Sequence, residues 1–144
     1  MRIEKSEEIA RSPEDVWAFI ADARNDPQWC PKVDLVEQVA GGEPGPDAKY
    51  RVLHRPRPRK PPVELWMEVV EFDPPRRLRW REEDTDGVFD VIYELEPVET
   101  GTRLIQVDEI EWKGSKLALP AARYLVGRDI ARQLTSLKRI LEAS

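Results

Sequence analysis

Four side chains could take part in acid–base chemistry: His54, Tyr50, Tyr93 and Asp108. His54 is the only histidine, and an imidazole is the usual general base near neutral pH. A catalytic histidine normally works with a partner that orients its ring, and the sequence around His54 indicates none. Because His54 also ends a predicted strand, we expect a structural role or a place at a cavity rim. No catalytic residue is therefore assigned, and the four remain candidates in case the protein is an enzyme.

Other chemistry-bearing patterns are scarce in this chain. Cys30 is the single cysteine, which excludes an internal disulfide and a cysteine-based metal cluster. Its neighbours Trp29 and Pro31 indicate a packed thiol in a turn. Glycine-rich phosphate loops, zinc-type clusters and Ser-His-Asp patterns are absent from the sequence, so we predict neither a metal nor a cofactor.

Net charge and hydropathy argue against two further classes of protein. With 23 Lys and Arg against 28 Asp and Glu, the net charge is −5, which argues against general nucleic-acid binding. The basic residues 55–60 could attract an anionic head group, a nucleic acid or a proline-recognising domain, but a solvated hairpin loop is preferred. No apolar run approaches the ~20 residues of a membrane span, and the first residues lack an apolar signal core. We expect a cytoplasmic protein without stable membrane insertion.

Strands that would position the candidate residues follow from apolar alternation. The first is predicted at residues 3–10 and the second near 33–39. After a turn cluster at Gly41-Gly42, five more are predicted at residues 49–55, 63–73, 76–84, 88–96 and 102–112. Pro74-Pro75, Asp86-Gly87 and Thr100-Gly101 connect the later strands. Such short connections require antiparallel pairing, because a parallel crossover needs a dozen residues or more.

Two helical regions complete the pattern, together with a short helical turn or loop at residues 23–31. Ser12-Pro13-Glu14-Asp15 predicts a helix start, with Ser12 as cap, proline in the first turn and Asp15 in a capping-box-like pair with Ser12. A long helix is predicted at residues 117–143, with Pro120 either starting or kinking it. Its apolar face carries Ile130, Leu134, Leu137 and Leu141. Gly127 costs about 1 kcal/mol against alanine there, which suggests a close neighbour or reserved space.

The inward faces of these strands carry more apolar side chains than one sheet and one helix need for a core. A few polar groups lie among them, and an apolar pocket with convergent polar groups is typical of a small-molecule site. Asp108 and Glu82 could form a carboxylate pair, although a salt-bridged wall with Arg123 is preferred. The predicted ligand-binding residues are Trp29, Tyr50, His54, Leu65, Met67, Trp80, Glu82, Phe89, Val91, Tyr93, Gln106, Asp108, Arg123 and Ile130.

Several segments also resemble a known superfamily. Residues 9–17 (IARSPEDVW) with Asp22 and residues 27–31 (PQWCP) are similar to the opening of START-like, or SRPBCC, proteins. Residues 72–78 (FDPPRRL), 101–104 (GTRL) and 137–142 (LKRILE) match later patterns of that group, which includes bacterial polyketide cyclase/dehydrase-like and lipid-transport-like proteins. The resemblance implies a single domain over residues 1–144. It also implies an α+β helix-grip fold, in which a curved seven-stranded antiparallel sheet surrounds a long C-terminal helix and two short helices follow strand 1.

The resemblance also implies a cavity between sheet and helix. We expect it to bind or carry a small hydrophobic or amphipathic molecule, such as a lipid, a quinone or a polyketide-like compound, in a monomer or homodimer. Because no motif is a catalytic signature, an enzyme of the polyketide cyclase/dehydratase type is the alternative. A stress-response or protein-interaction module on the same scaffold is a second alternative.

Overall fold

A single sheet is the largest feature of the computed structural model, which describes residues 1–84 and 87–144. Within these residues seven antiparallel strands pair in the order β1-β7-β6-β5-β4-β3-β2. They are β1 (Arg2–Ile9), β2 (Val33–Ala40), β3 (Lys49–His54), β4 (Val63–Asp73), β5 (Arg77–Asp84), β6 (Gly87–Val98) and β7 (Gly101–Trp112). Every predicted strand is present, and the antiparallel meander is confirmed. Asp86, which belongs to one predicted turn, lies outside the described residues.

The pairing of β1 with β7 joins the first and last strands of the chain. In this register Ile3 lies opposite Asp108 and Lys5 lies opposite Gln106. The strand order leaves β1 and β2 at the two edges of the sheet. The first strand therefore stands next to the strand that directly precedes the C-terminal helix.

Two short helical segments follow β1, as predicted. Helix α1 (Pro13–Ile20) begins after Ser12, whose hydroxyl oxygen accepts a hydrogen bond from the Asp15 N–H at 3.2 Å. The predicted reciprocal contact from Asp15 is wrong, because that carboxylate accepts a hydrogen bond from Arg11 Nε at 3.1 Å instead. A 3₁₀ helix (Ala23–Gln28) comes next and packs against β2.

The C-terminal helix α2 (Leu119–Glu142) lies across the inner side of the sheet and packs mainly against β1. It begins two residues later than predicted, because Lys116–Ala118 form a separate 3₁₀ turn. Pro120 lies in its first turn, so it starts the helix rather than kinking it. The predicted apolar face is buried, with Ile130, Leu134, Leu137 and Leu141 in the core. Among the described residues, no helix is long and apolar enough to cross a membrane.

Gly127 lies where α2 packs against β1. A methyl group at this position would lie 3.5 Å from Lys5 Cε and 3.7 Å from Ile3 Cγ2, which are ordinary contact distances. The helix therefore has a close neighbour here, as one of the two interpretations of this glycine requires. The curved antiparallel sheet around the long terminal helix is the helix-grip arrangement, and its interior contains the candidate site.

Candidate functional site

A cavity of about 280 Å³ lies between the inner face of the sheet and α2. It is slightly smaller than the roughly 300–1,000 Å³ usual for ligand pockets, so it suits a small molecule. Two larger depressions, of about 800 and 750 Å³, lie on the outer surface and are lined mainly by charged residues. They are shallow and open to solvent, so the interior cavity is the candidate site.

Most residues predicted to bind a ligand line this cavity. Alternation in β3 to β7 directs their side chains inward, and α2 supplies one of them. They are His54, Leu65, Met67, Trp80, Glu82, Phe89, Val91, Tyr93, Gln106, Asp108 and Ile130.

Three predicted residues lie elsewhere. Trp29 is 1% exposed and packs against the Tyr93 ring at a centroid distance of 6.1 Å, outside the cavity lining. Tyr50 is fully buried and meets Trp80 edge-on at 5.6 Å, so it also supports a wall residue rather than lining the cavity. Arg123 is exposed, and its guanidinium donates to the carbonyl of Arg2 at 2.9 Å, because α2 runs beside β1.

The structure adds lining residues that the sequence did not single out. Asp26 and Cys30 reach the cavity from the segment after α1, and Asp129 and Gln133 reach it from α2. Asp129 directly precedes the predicted core position Ile130, and Gln133 follows it by three positions, so helical spacing was a usable signal. Nothing local in the sequence indicates Asp26.

The greater part of the wall is apolar, and β4, β5 and β6 supply one continuous portion of it. Met67, Trp80 and Val91 are buried at 5%, 3% and 9% exposure. Trp80 lies directly opposite Val91 in the β5–β6 ladder, so their side chains form a continuous surface. This surface can hold a flat or aliphatic hydrophobic group.

The polar end of the cavity is built on β7. Gln106 and Asp108 are two residues apart and therefore share the inner face. Gln106 Nε2 donates to Asp108 Oδ1 at 3.0 Å, and both residues are buried, at 3% and 8% exposure. The Gln106 Oε1 atom is buried without a hydrogen-bond partner among the described residues. Tyr93 lies opposite Gln106 on β6 and completes this end.

Burial raises the pKa values of two carboxyl groups that line the cavity. Desolvation raises the pKa of Asp108 to about 6, and the hydrogen bond from Gln106 opposes the shift. Desolvation also raises the pKa of Asp26 well above its usual range, and the nearby carboxylates Glu82 and Asp22 add to the effect. The Asp26 carboxyl group is enclosed even though part of the residue is exposed.

Burial also raises the pKa values of the thiol and phenol groups near these carboxyl groups. Desolvation, followed by the charge of Asp26, raises the pKa of the Cys30 thiol well above its usual range. The pKa of Tyr93 is also raised well above its usual range, chiefly by desolvation. Cys30 is therefore a protonated, packed thiol and not an activated nucleophile, as its neighbours predicted.

Arg123 does not form the predicted salt-bridged wall. It lies outside the cavity, beside β1, where its guanidinium donates a hydrogen bond to the Arg2 carbonyl. A salt bridge that borders the cavity joins Lys32 Nζ to Asp129 Oδ2 at 2.5 Å. It connects the segment before β2 to α2. No sequence pattern indicates this pair, because its members are 97 residues apart.

The arrangement can enclose an apolar body and meet polar atoms of a ligand at one end. Asp108, with a pKa near 6, can also exchange a proton close to neutral pH. Among residues 1–84 and 87–144, no group of three or more His, Cys, Asp or Glu side chains is placed to hold a metal ion.

Comparisons with solved structures confirm the fold. An aromatase/cyclase, ZhuI from Streptomyces sp. R1128, superposes with a TM-score of 0.81 at 14% identity, over 99% of this chain and 93% of that chain. A START superfamily protein from Mycobacterium smegmatis gives 0.78 at 17% identity, over 99% and 97%. A protein from Thermus thermophilus gives 0.80 at 18% identity, over 99% and 98%. At these identities the likeness concerns the fold alone.

A family model places the chain by sequence. The model described as polyketide cyclase / dehydrase and lipid transport matches residues 1–142, which is nearly the whole chain. No curated protein gives a significant match. Together with the helix-grip fold, the match confirms the resemblance: this chain belongs to the polyketide cyclase/dehydrase and lipid transport family and has a START-like fold.

Proposed function

We propose that the protein binds and carries a small hydrophobic or amphipathic molecule in the cavity between sheet and α2. The observation that carries the proposal is the cavity itself, a partly enclosed space of about 280 Å³ between the sheet and α2. Empty apolar space in a core costs stability, so a retained cavity favours a role in binding. Membership of a lipid-transport family is consistent with this role.

The two methionines of the chain make a direct test possible. Met1 and Met67 both line the cavity, so the methyl-¹³C methionine NMR spectrum contains only reporters of this site. We would titrate the protein with n-octanol, naphthalene, menadione and decanoate, and assign the Met67 signal with Met67→Leu. A saturable shift of the Met67 methyl signal is expected with at least one compound.

A matched pair of substitutions separates cavity binding from surface binding. Val91→Trp places a large ring in the cavity, whereas Val70→Trp places the same ring on the outer face of β4, where Val70 is 40% exposed. Val91→Trp should abolish the saturable shift, and Val70→Trp should leave it unchanged. If no compound moves the Met67 signal up to its solubility limit, the proposal is wrong.

A second candidate function is a dehydration or cyclisation of a polyketide-like substrate in the same cavity. One observation favours it: Asp108 lines the cavity and has a pKa of about 6, which suits a residue that exchanges a proton near neutral pH. His54 and Tyr93 also line the cavity and could polarise a carbonyl.

The test is turnover of a linear poly-β-keto thioester analogue, followed by chromatography of the aromatic product. The wild-type protein should form product, and Asp108→Asn should reduce kcat by at least about 10²-fold, the usual contribution of a general acid or base. Product formation that survives simultaneous His54→Ala and Asp108→Ala changes would contradict this assignment.

A further inference from the structure

The polar end of the cavity contains a buried hydrogen-bond acceptor that lacks a donor. Gln106 is 3% exposed, and its Nε2 atom donates a hydrogen bond to Asp108 Oδ1 at 3.0 Å. This bond fixes the orientation of the amide, since the carboxylate needs a donor. Gln106 lines the cavity, and its Oε1 atom is a buried acceptor without a partner among the described residues. A buried unpaired acceptor is costly, so it calls for a donor from a bound molecule.

Asp108 adds a buried carboxylate to the same end. It is 8% exposed, and it accepts a hydrogen bond from the neutral Gln106 amide. Asp26 also lines the cavity, where its carboxyl group is enclosed. A carboxylate in such surroundings is stabilised by a positive charge brought next to it.

Three cationic groups near the cavity are engaged elsewhere. Lys32 forms its salt bridge with Asp129 at 2.5 Å, and the N-terminal ammonium of Met1 donates to the Ile110 carbonyl at 2.9 Å. Lys5 lies opposite Gln106 in the sheet, but its side chain packs over Gly127 and does not line the cavity. Apart from His54, which also lines the cavity, a ligand is therefore the natural source of a positive donor at this end.

We infer that the cavity selects a small amphipathic amine, whose protonated amino group binds between Gln106 Oε1 and the Asp108 carboxylate while its apolar body packs on Trp80 and Val91. The inference rests on the proposed binding function and adds the chemical class of the ligand.

An ammonium group fits this end better than the other donors do. It carries three N–H donors and a full positive charge, so it can satisfy Gln106 and Asp108 together. A hydroxyl group has one donor and leaves the charge of Asp108 uncompensated. The aromatic ring of Tyr93 borders the same end and adds a cation–π contact of the kind that favours ammonium ligands.

The test compares four probes that share one alkyl chain: n-octylamine, n-octanol, octanoate and octyltrimethylammonium. Binding is measured at about pH 7.5 by calorimetry and by the Met67 methyl signal. We expect octylamine to bind at least about tenfold more tightly than octanol, and octanoate to bind most weakly, because a buried charge pair is worth more than a neutral contact. Octyltrimethylammonium carries the charge without N–H donors, so it should bind less tightly than octylamine.

Two single-charge variants serve as a matched pair. Asp108→Asn removes the buried charge and should reduce the preference for octylamine over octanol to less than about threefold. Glu111→Gln removes one exposed charge from the same strand and should leave the preference unchanged. Gln106→Leu should weaken octylamine and leave octanol within about threefold of wild type. An equal loss of preference in Glu111→Gln would mean that the amine responds only to the net charge and would overturn the inference.

A pH series provides an independent readout. The other titratable groups that line the cavity with Asp108 are the Met1 ammonium, Asp26, Cys30, Lys32, His54, Glu82, Tyr93 and Asp129. Octylamine stays protonated throughout, so its affinity should be full above about pH 7 and should fall as Asp108 takes up a proton below about pH 6. The affinity of octanol should not follow this profile.

The probes distinguish a failure of the amine inference from a failure of the proposed binding function. If octanol and octylamine shift the Met67 signal with equal affinity, or octanoate binds best, the cavity binds ligands but the amine inference is wrong. If none of the four probes moves that signal and none of the earlier panel does so, the binding function itself is wrong.

Discussion

Replacement of Gly127 by alanine should stabilise the protein, although the glycine is buried in the interface between α2 and β1. Glycine in the middle of a helix is destabilising because it loses more backbone entropy on folding than alanine does. A substitution here would still be harmful if the new methyl group met the sheet. The sign of the effect therefore depends on the free space at this one position.

The structure gives that space directly. The added methyl group would be 3.5 Å from Lys5 Cε, 3.7 Å from Ile3 Cγ2 and 3.9 Å from Lys5 Nζ. All three distances are ordinary van der Waals contacts, and the nearest atom belongs to a flexible side chain. The gain should be the helix-propensity term of about 1 kcal/mol. For a chain of this length, that corresponds to a rise in Tm of about 3–4 °C.

The measurement is guanidinium chloride unfolding followed by circular dichroism, with a thermal scan as a second readout. Ala131→Gly is the matched control, because Ala131 is exposed on the same helix and should lose about 1 kcal/mol through propensity alone. Equal and opposite changes in the two variants are expected. A destabilised Gly127→Ala protein, with Ala131→Gly behaving as expected, would show that β1 and α2 leave no room for a methyl group and would refute the reasoning.

Three further predictions concern stability. Because burial raises the pKa of Asp108 from 3.8 to about 6, the stability associated with its protonated form is full below about pH 4 and is lost as the pH rises through about 6. Asp108→Asn should therefore gain up to about 3 kcal/mol at about pH 8 and almost nothing near pH 4, measured by urea unfolding at both pH values; an equal gain at both would contradict it. Leu134→Ala should lower the free energy of unfolding by about 2–5 kcal/mol in the same assay, because Leu134 is buried. The control Leu125→Ala, at an exposed position, should lower it by under about 0.5 kcal/mol, and similar losses in the two variants would disprove the assigned burial. Ser12→Ala should cost about 1 kcal/mol by removing the N-cap of α1, whereas an unchanged midpoint would show that the cap is dispensable.

Local features of the chain could be predicted because their causes are local. The N-cap at Ser12 depends on a hydroxyl group three residues before the amide it serves. The strand β4 (Val63–Asp73) was predicted with the bounds that it has, since its alternation reports directly which face is buried. The start of α2 was less accurate, because the chain forms a 3₁₀ turn that shares the same side-chain spacing.

The candidate site was predicted in part, and the pattern of success has a physical reason. Met67, Val91 and Asp108 were placed in the cavity because strand periodicity gives the direction of a side chain. Arg123 was misplaced because the reach of a long side chain depends on which strand lies beside the helix. Periodicity carries no information about that neighbour.

The order of elements, the antiparallel meander and the apolar face of α2 were all encoded in patterns of two and of three to four residues along the chain. The cavity and its polar end were decided only by the tertiary structure. Gln106 and Asp108 share a strand and Tyr93 lies opposite Gln106 on β6, but Asp26 comes from a distant segment. Packing determines whether such groups enclose space or fill it, and burial determines their pKa values. Neither quantity exists until the sheet has closed around the helix.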